Sequence, residues 1–372
     1  MKVALDVSAV PPHVAGAGRY IVELARRVPA RVESLTLVTR REDDERWRAY
    51  SPTTDVEPLV PSRRAARLAY EAWLLGRSQT ARAVDVWHSP HYTMPRLRAT
   101  PTVVTIHDLT FFTNPEWHER SKVLFFRRAI TYAAARAQVL ICVSDFTARQ
   151  LSDIVPTQVP VVVAPLGVDL DAFTPDGTRD DAIFQRHELE IDVPFVLFLG
   201  TLEPRKGLDV LLEAFRYVTQ DEPTLELWIA GQAGWAMKDL DDVIAQHPGA
   251  SRIRRLGFID EELVAPLLRR ARVVAYPSRG EGFGLPVLEA LACGAQVVTT
   301  SDTVMADVGS TAVLLAGSGD AAGLASQIVG ALRLDESQRA AHSRIARSRA
   351  ETFSWERCID RHLEAYELAR GL

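Results

Sequence analysis

The 372-residue sequence has only three cysteines, Cys142, Cys293 and Cys358, and none belongs to a Cys-x-x-Cys pair. Thiols so few and so far apart exclude a disulfide framework, a cysteine zinc site and a dithiol redox centre. No apolar run approaches the roughly 20 residues that a bilayer-spanning helix requires. The opening stretch, MKVALDVSAV, enters an alternating strand pattern at once, without the apolar core or small-residue cleavage site of a secretory signal; a cytoplasmic location is expected. Short-period repeats and low-complexity tracts are missing as well. Basic residues do not dominate: 43 Lys and Arg face 48 Asp and Glu, and no continuous basic stripe appears, which argues against a nucleic-acid partner.

What remains is the composition of a soluble globular protein, 47% hydrophobic and 24% charged. A single core stops growing at roughly 250 to 300 residues, so the length calls for two domains. Charge divides unevenly, with 22 Lys and Arg against 18 Asp and Glu in residues 1–174, leaving the acidic surplus beyond. Short β-branched runs alternate with helical stretches: KVALDV, DVWHS, TVVTIHD, QVLICVS and PVVVAP, then PFVLFLG, LELWIAG, RIRRLGF, RVVAYPS, QVVTT and TAVLLA. Buried strands separated by helices predict parallel sheets covered on both faces. The expected fold is therefore α/β, two Rossmann-like doubly wound domains facing a cleft. Expected boundaries are residues 1–174, 175–353 and a terminal helix at 354–372 packing back on the body, with a linker near 172–192. On that last helix Trp355, Ile359, Leu363, Tyr366 and Leu368 form one broad stripe.

Chemistry concentrates where strands end. In SRGEGFGLPVLEALACG, residues 278–294, a strand runs through a glycine loop into a helix whose first turn holds Pro286. Gly282 and Gly284 allow close backbone approach, and the helix start favours an anion such as phosphate. Glu281 and Glu289 lie eight apart across this junction. In FLGTLEPRKGLDVLLEAF another strand, ending at Gly200, leads through Arg205 and Lys206 into an amphipathic helix. Adjacent guanidinium and ammonium groups there suit a diphosphate. His107 ends the strand TVVTIHD, and His88 and His91 follow another, where acceptor-side contacts would lie. Two Asp-x-Asp triplets, Asp169 to Asp171 and Asp239 to Asp241, do not follow a strand at the ligand edge, so no metal site is expected.

GTLEPRKGLDVLLEAF, LWIAGQAG, RRLGFIDEELVAPLLRRARVVAYPSRGEGFGLPVLEALACGAQVVTT and TAVLLAGSGD resemble the retaining GT-B-fold glycosyltransferases of family four, the group 1 family. LDVSAVPPHVAGAGRYIVELARRV, DVWHSPHY, TVVTIHDLTFF, VLICVSDFTARQL and VVVAPLGVDLDAF resemble its mannosyltransferase-like branch. The resemblance implies that Arg205 and Lys206 bind the donor diphosphate, and that the backbone of Gly282, Phe283, Gly284 and Leu285 holds the sugar and phosphate. It further places Glu281 at the sugar hydroxyls, Glu289 at the ribose, His107 beside the reacting centre, Gly16 and Gly18 near the phosphates, and Gly200 and Phe258 along the donor. Where relatives often carry a glycine-rich loop with a Pro-Glu pair, this chain has SDTVMADVGSTAVLL, so contacts of Ser301 do not carry over.

By the same resemblance the activity is transfer of a hexose with retention, without a metal or cofactor. The nucleotide-sugar donor is a co-substrate, GDP-mannose ahead of dTDP-rhamnose and UDP-sugars. The acceptor is a lipid-linked or polysaccharide intermediate of the cell envelope. A GT-B epimerase or phosphorylase shares the architecture and stays open. Residues 63–82 mix Arg63, Arg64, Arg67, Arg77 and Arg82 with Tyr70, Trp73, Leu74 and Leu75; residues 121–138 set Lys122, Arg127, Arg128 and Arg136 beside Phe125, Phe126 and Tyr132. Such helices either touch the anionic inner face of the cell membrane or turn a stripe to the core.

Overall fold

The structure is a computed structural model that describes every residue except 13, 15 and 233–239, and every side chain but these and that of Arg64. The chain forms two compact units, Met1–Gly167 with Trp355–Leu372, and Val168–Ser354. Sequence-based boundaries fell at 174/175 and 353/354.

The first unit holds seven parallel strands: β1 (Lys2–Asp6), β2 (Ser34–Arg40), β3 (Asp55–Val60), β4 (Val86–Ser89), β5 (Thr102–Ile106), β6 (Val139–Cys142) and β7 (Val161–Val163), in the order β3-β2-β1-β4-β5-β6-β7. The second holds six: β8 (Phe195–Leu199), β9 (Glu226–Ala230), β10 (Ile253–Gly257), β11 (Val273–Tyr276), β12 (Val297–Thr300) and β13 (Leu314–Ala316), in the order β10-β9-β8-β11-β12-β13. Every apolar run singled out in the sequence is a strand. β2 and β3 were not among them. β3 carries Pro58, which an edge strand tolerates because its missing N–H breaks no ladder bond.

Each order reverses once, between β1 and β4 in the first sheet and between β8 and β11 in the second. Connections on either side of such a point leave in opposite directions, opening a crevice at the strands' carboxyl ends where ligands of doubly wound sheets bind. The second core forms as the helix Leu208–Asp221 lays Leu208, Leu211, Leu212, Phe215 and Val218 on β8 and β9, with Ile328 beside them. Burying a side chain such as Phe215 contributes roughly 2 to 3 kcal/mol before entropy is counted.

Residues 172–192 are not a free linker. They include the helix Asp180–Arg186, and Asp180, almost fully buried, accepts from Arg269 Nε at 3.0 Å while Arg269 Nη1 reaches the Thr174 carbonyl at 2.9 Å. This stretch is thereby fastened within the second unit. The helix Trp355–Gly371 packs on the first sheet through Trp355, Cys358, Ile359, His362, Ala365, Tyr366 and Ala369. Leu368, assigned to the stripe from its apolar character, is instead 38% exposed, and His362 is buried. Hydrogen bonding explains the exchange: His362 Nε2 meets Tyr20 Oη at 2.6 Å and His362 Nδ1 meets the Cys358 carbonyl at 2.7 Å. Among the described residues no helix is long and apolar enough to cross a membrane.

Candidate functional site

The reversal point of the second sheet is built from the loops after β8 and β11. Gly207, at φ +70, closes the β8 loop; a Cβ there would lie 2.0 Å from the Pro277 carbonyl, so only glycine lets the two loops touch. Arg279 N–H donates to the Arg205 carbonyl at 2.7 Å, and the Arg279 guanidinium spans the Pro204 carbonyl at 2.7 Å and Asp209 at 2.9 and 2.5 Å. These bonds hold Arg205 and Lys206 against Glu281. Arg205 Nη1 donates to Glu281 Oε2 at 2.8 Å and to the Gly280 carbonyl at 3.2 Å, its Nε donates to Glu203 at 2.8 Å, and Lys206 Nζ donates to Glu281 Oε1.

Side-chain exposure is 24% for Arg205, 15% for Lys206 and 12% for Glu281, so the cluster is shielded yet reachable. Burial by itself would raise the Glu281 carboxyl, but Arg205 and Lys206 outweigh it and hold it down at about 2. Burial, with Arg205 nearby, lowers Lys206 from its ordinary value while Glu281 opposes. Glu281 is thus shared by two cations, of which Arg205 is also paired with Glu203. A diphosphate entering the site would bring the same charges and compete for the same donors.

Beside this cluster the helix Leu285–Ala292 begins. Gly284 caps it at φ +95, where a Cβ would press to 2.7 Å from Met305 Cγ. Phe283 turns its ring inward against Phe353, edge to face at 5.8 Å, so the junction presents backbone to a ligand. The positive end of the helix macrodipole lies here, an anion-favouring position. Glu281 and Glu289 part company: Glu281 stays in the loop with its cations, whereas Glu289 is buried one turn into the helix near Tyr276 and Cys293. Gly200 N–H donates to the Ala230 carbonyl at 3.0 Å at the end of β8. Phe258 follows the edge strand β10, two strands from the reversal point, and is 63% exposed.

In the first unit Gly16 takes φ +50 before the helix Ala17–Arg27, with nothing within 4 Å of where a Cβ would stand; Gly18 backs on Val10 and Val14. His107 is buried at the end of β5, its Nε2 2.8 Å from the Pro90 carbonyl and its ring edge to face with Tyr20 at 5.2 Å. Burial lowers its pKa, which favours the neutral imidazole, and the carbonyl at Nε2 calls for the proton on that nitrogen. His91 stands 5.7 Å away, ring to ring. His88 cannot serve an acceptor: it is fully buried, with Nδ1 at 2.8 Å from Tyr366 Oη and Nε2 at 2.8 Å from Thr105 Oγ1.

Of the Asp-x-Asp triplets, Asp169 Oδ1 accepts from the Asp171 and Ala172 N–H groups at 3.1 Å, and Asp241 pairs with Arg255; Asp239 lies outside the described residues. Among the described residues no group of three or more His, Cys, Asp or Glu is disposed to hold a metal ion. Glu203, Asp209 and Arg279 were missed as supports of the site. Only their positions beside glycines at strand ends could have marked them.

A cation pair, its carboxylate and a helix start at the reversal point of a Rossmann-like unit, in a chain with two such units, define the GT-B class. Residues 14–172 match Glycosyltransferase Family 4 and residues 193–333 match Glycosyl transferases group 1. The chain belongs to this family of glycosyltransferases. It is 28% identical to O-antigen chain mannosyltransferase B of Escherichia coli across 99% of its own length and 100% of that protein. It is 29% identical to D-inositol 3-phosphate glycosyltransferase of Geodermatophilus obscurus, covering 98% of this chain and 88% of the relative. HepE of Anabaena, solved with UDP-glucose, superposes with a TM-score of 0.78 at 19% identity over 98% of each chain.

Proposed function

We propose that the protein transfers mannose from GDP-mannose, with retention and without a metal ion, to a hydroxyl of a lipid-linked or polysaccharide acceptor in cell-envelope glycan synthesis. The observation that carries this reading is the convergence of Arg205, Lys206 and Glu281 beside the helix start at Gly284. Two cations and a helix dipole balance the charge that develops on a departing diphosphate. Glu281, released from its cations by that diphosphate, accepts the sugar hydroxyls. The acceptor hydroxyl attacks from the face the phosphate leaves, and the phosphate takes its proton; positioning and electrostatics provide most of the rate. Glu289 would hold the ribose, Phe258 the base, and His107 a sugar hydroxyl.

Mannose is favoured because the relative matched end to end carries mannosyltransferase in its name. A UDP-sugar is the second reading, supported by the UDP-glucose complex of the HepE neighbour. Screening nucleotide release across GDP-, UDP- and dTDP-sugars, followed by NMR of the product's anomeric configuration, tests the proposal. Release from GDP-mannose with an α-linked product is expected; an inverted product or a strict metal requirement would refute it.

The acceptor reading includes contact with the inner face of the cell membrane. Trp73 and Leu74 are 50% and 59% exposed at the end of the helix Arg64–Trp73, and Leu124 and Phe125 are exposed on the helix Arg120–Arg136. Arg96 joins these helices, its guanidinium 5.4 Å from the Trp73 ring and 5.6 Å from the Tyr132 ring. Apolar rings among arginines suit an anionic lipid surface. Sedimentation with phosphatidylglycerol vesicles would show binding, and its absence would remove this part.

A further inference from the structure

The reversal point of the first sheet holds a second charged cluster. Ser8 Oγ lies 2.6 Å from Asp6 Oδ1 and 2.9 Å from Glu71 Oε1. A hydroxyl has one proton to give, so it cannot donate to both oxygens. The second hydrogen bond exists only if one carboxyl group keeps its own proton and donates it to Oγ. Two ionised carboxylates around one hydroxyl would repel each other and leave one contact without a hydrogen.

The cluster sits where it controls backbone. Asp6 ends β1, and its Oδ1 also accepts from the Ser8 N–H at 3.1 Å, fixing the turn that leads toward Gly16. Further along, Arg40 Nη2 donates to the Val10 carbonyl at 3.0 Å, and Arg46 donates to Val10 and Pro11 carbonyls at 3.2 and 2.7 Å. Arginines thus brace the middle of the segment while the carboxyl pair braces its start.

We propose that Asp6, Ser8 and Glu71 form a one-proton relay that positions residues 7–12 after β1, and that loss of the shared proton loosens them. Glu71 is a positioning residue here, acting through Ser8 and not on the substrate. Its charged surroundings are Asp6 on β1, Arg67 on its own helix at 3.4 Å, and Arg40 on β2, which itself pairs with Asp43. Burial raises the Glu71 carboxyl to about 7 and Asp6 adds to the rise, while Arg67, Ser8 and Arg40 oppose it. Asp6 is raised by burial too. The relay therefore releases its proton near neutral pH.

The test compares the full-length protein with E71Q, whose amide donates to Ser8 at every pH, and D6N, which removes the neighbouring charge. Thermal midpoints are measured from one unit below to one unit above the Glu71 pKa of about 7, without substrate. Wild type should lose stability relative to E71Q as pH rises through this range, and D6N should move that loss to lower pH. Parallel curves for all three proteins would overturn the shared proton. The kinetic arm rests on the glycosyltransferase reading: with whichever nucleotide-sugar releases nucleotide, the ratio of E71Q to wild-type kcat/KM should rise about tenfold over the two units, the span of one titrating group. A flat ratio alongside titrating midpoints would overturn the positioning role. Failure of every nucleotide-sugar would refute the function instead and leave the thermal arm to decide the relay.

Discussion

Replacing Glu281 by glutamine should separate nucleotide binding from sugar transfer. In the unliganded site Glu281 engages both Arg205 and Lys206, so a diphosphate must displace it. Glutamine keeps the shape but removes the charge that holds Lys206 and one arm of Arg205, whose Nε stays with Glu203. Each charge-assisted hydrogen bond is worth about 1.5 to 3 kcal/mol, and the incoming phosphate remakes those it breaks, so E281Q should bind GDP or UDP at least as tightly as wild type. Turnover should fall about 10²- to 10³-fold, because the group proposed to hold the sugar at the reacting centre is gone. Stability should move in a defined direction as well. Glu281 is held at about 2 against an ordinary 4.5, and each unit is about 1.4 kcal/mol, giving an upper limit of about 3 kcal/mol. A depressed carboxylate contributes that stability above pH 4.5 and loses it as pH falls toward 2. Calorimetric titration with each nucleoside diphosphate, beside nucleotide-release kinetics, reads the two effects separately. If affinity and turnover fell together in E281Q, Glu281 would not be the competitor for these cations, and the charge argument would fail.

Gly207→Ala should destabilise the second unit by roughly 2 kcal/mol or more, since the new Cβ meets the Pro277 carbonyl at φ +70; an unchanged urea midpoint would contradict the loop geometry. In the first unit, burial lowers His362 from 6.5 to about 4, so it folds neutral and protonates more readily in the unfolded chain. Stability should therefore fall as pH drops from 6.5 toward 4, by up to about 3 kcal/mol from this group, and H362Q should show a weaker acid slope in denaturant titrations. Equal slopes would show that His362 does not carry this dependence.

Much of the fold is legible because buried parallel strands are written as short continuous β-branched runs, and eleven such runs each hold a strand. β2 escaped because SLTLVTR alternates its apolar residues with Ser and Thr although most of the strand is buried, and β3 because DVEPLV is a partly exposed edge strand carrying a proline. The terminal helix misled differently: Leu368 looks like core and His362 does not, yet Tyr20 and the Cys358 carbonyl satisfy the imidazole and allow it inside. Burial of this polar ring depends on one partner four residues back and another more than 300 residues away, and helical periodicity cannot show the second.

At the candidate site, sequence alone determined the loops: glycines that permit left-handed turns, a basic pair before one helix and a glutamate before another. These are local requirements of backbone geometry and charge, carried by neighbours in the chain. Tertiary structure decided which loops meet. Arg205 and Lys206 find Glu281 some 75 residues on, and Ser8 finds Glu71 across 63, because strand order makes β8 a neighbour of β11 and sets β1 at the reversal of its sheet. Parallel strands deliver all their carboxyl ends to one edge, but only the order of the strands, chosen by packing of the whole sheet, decides which charges share that edge.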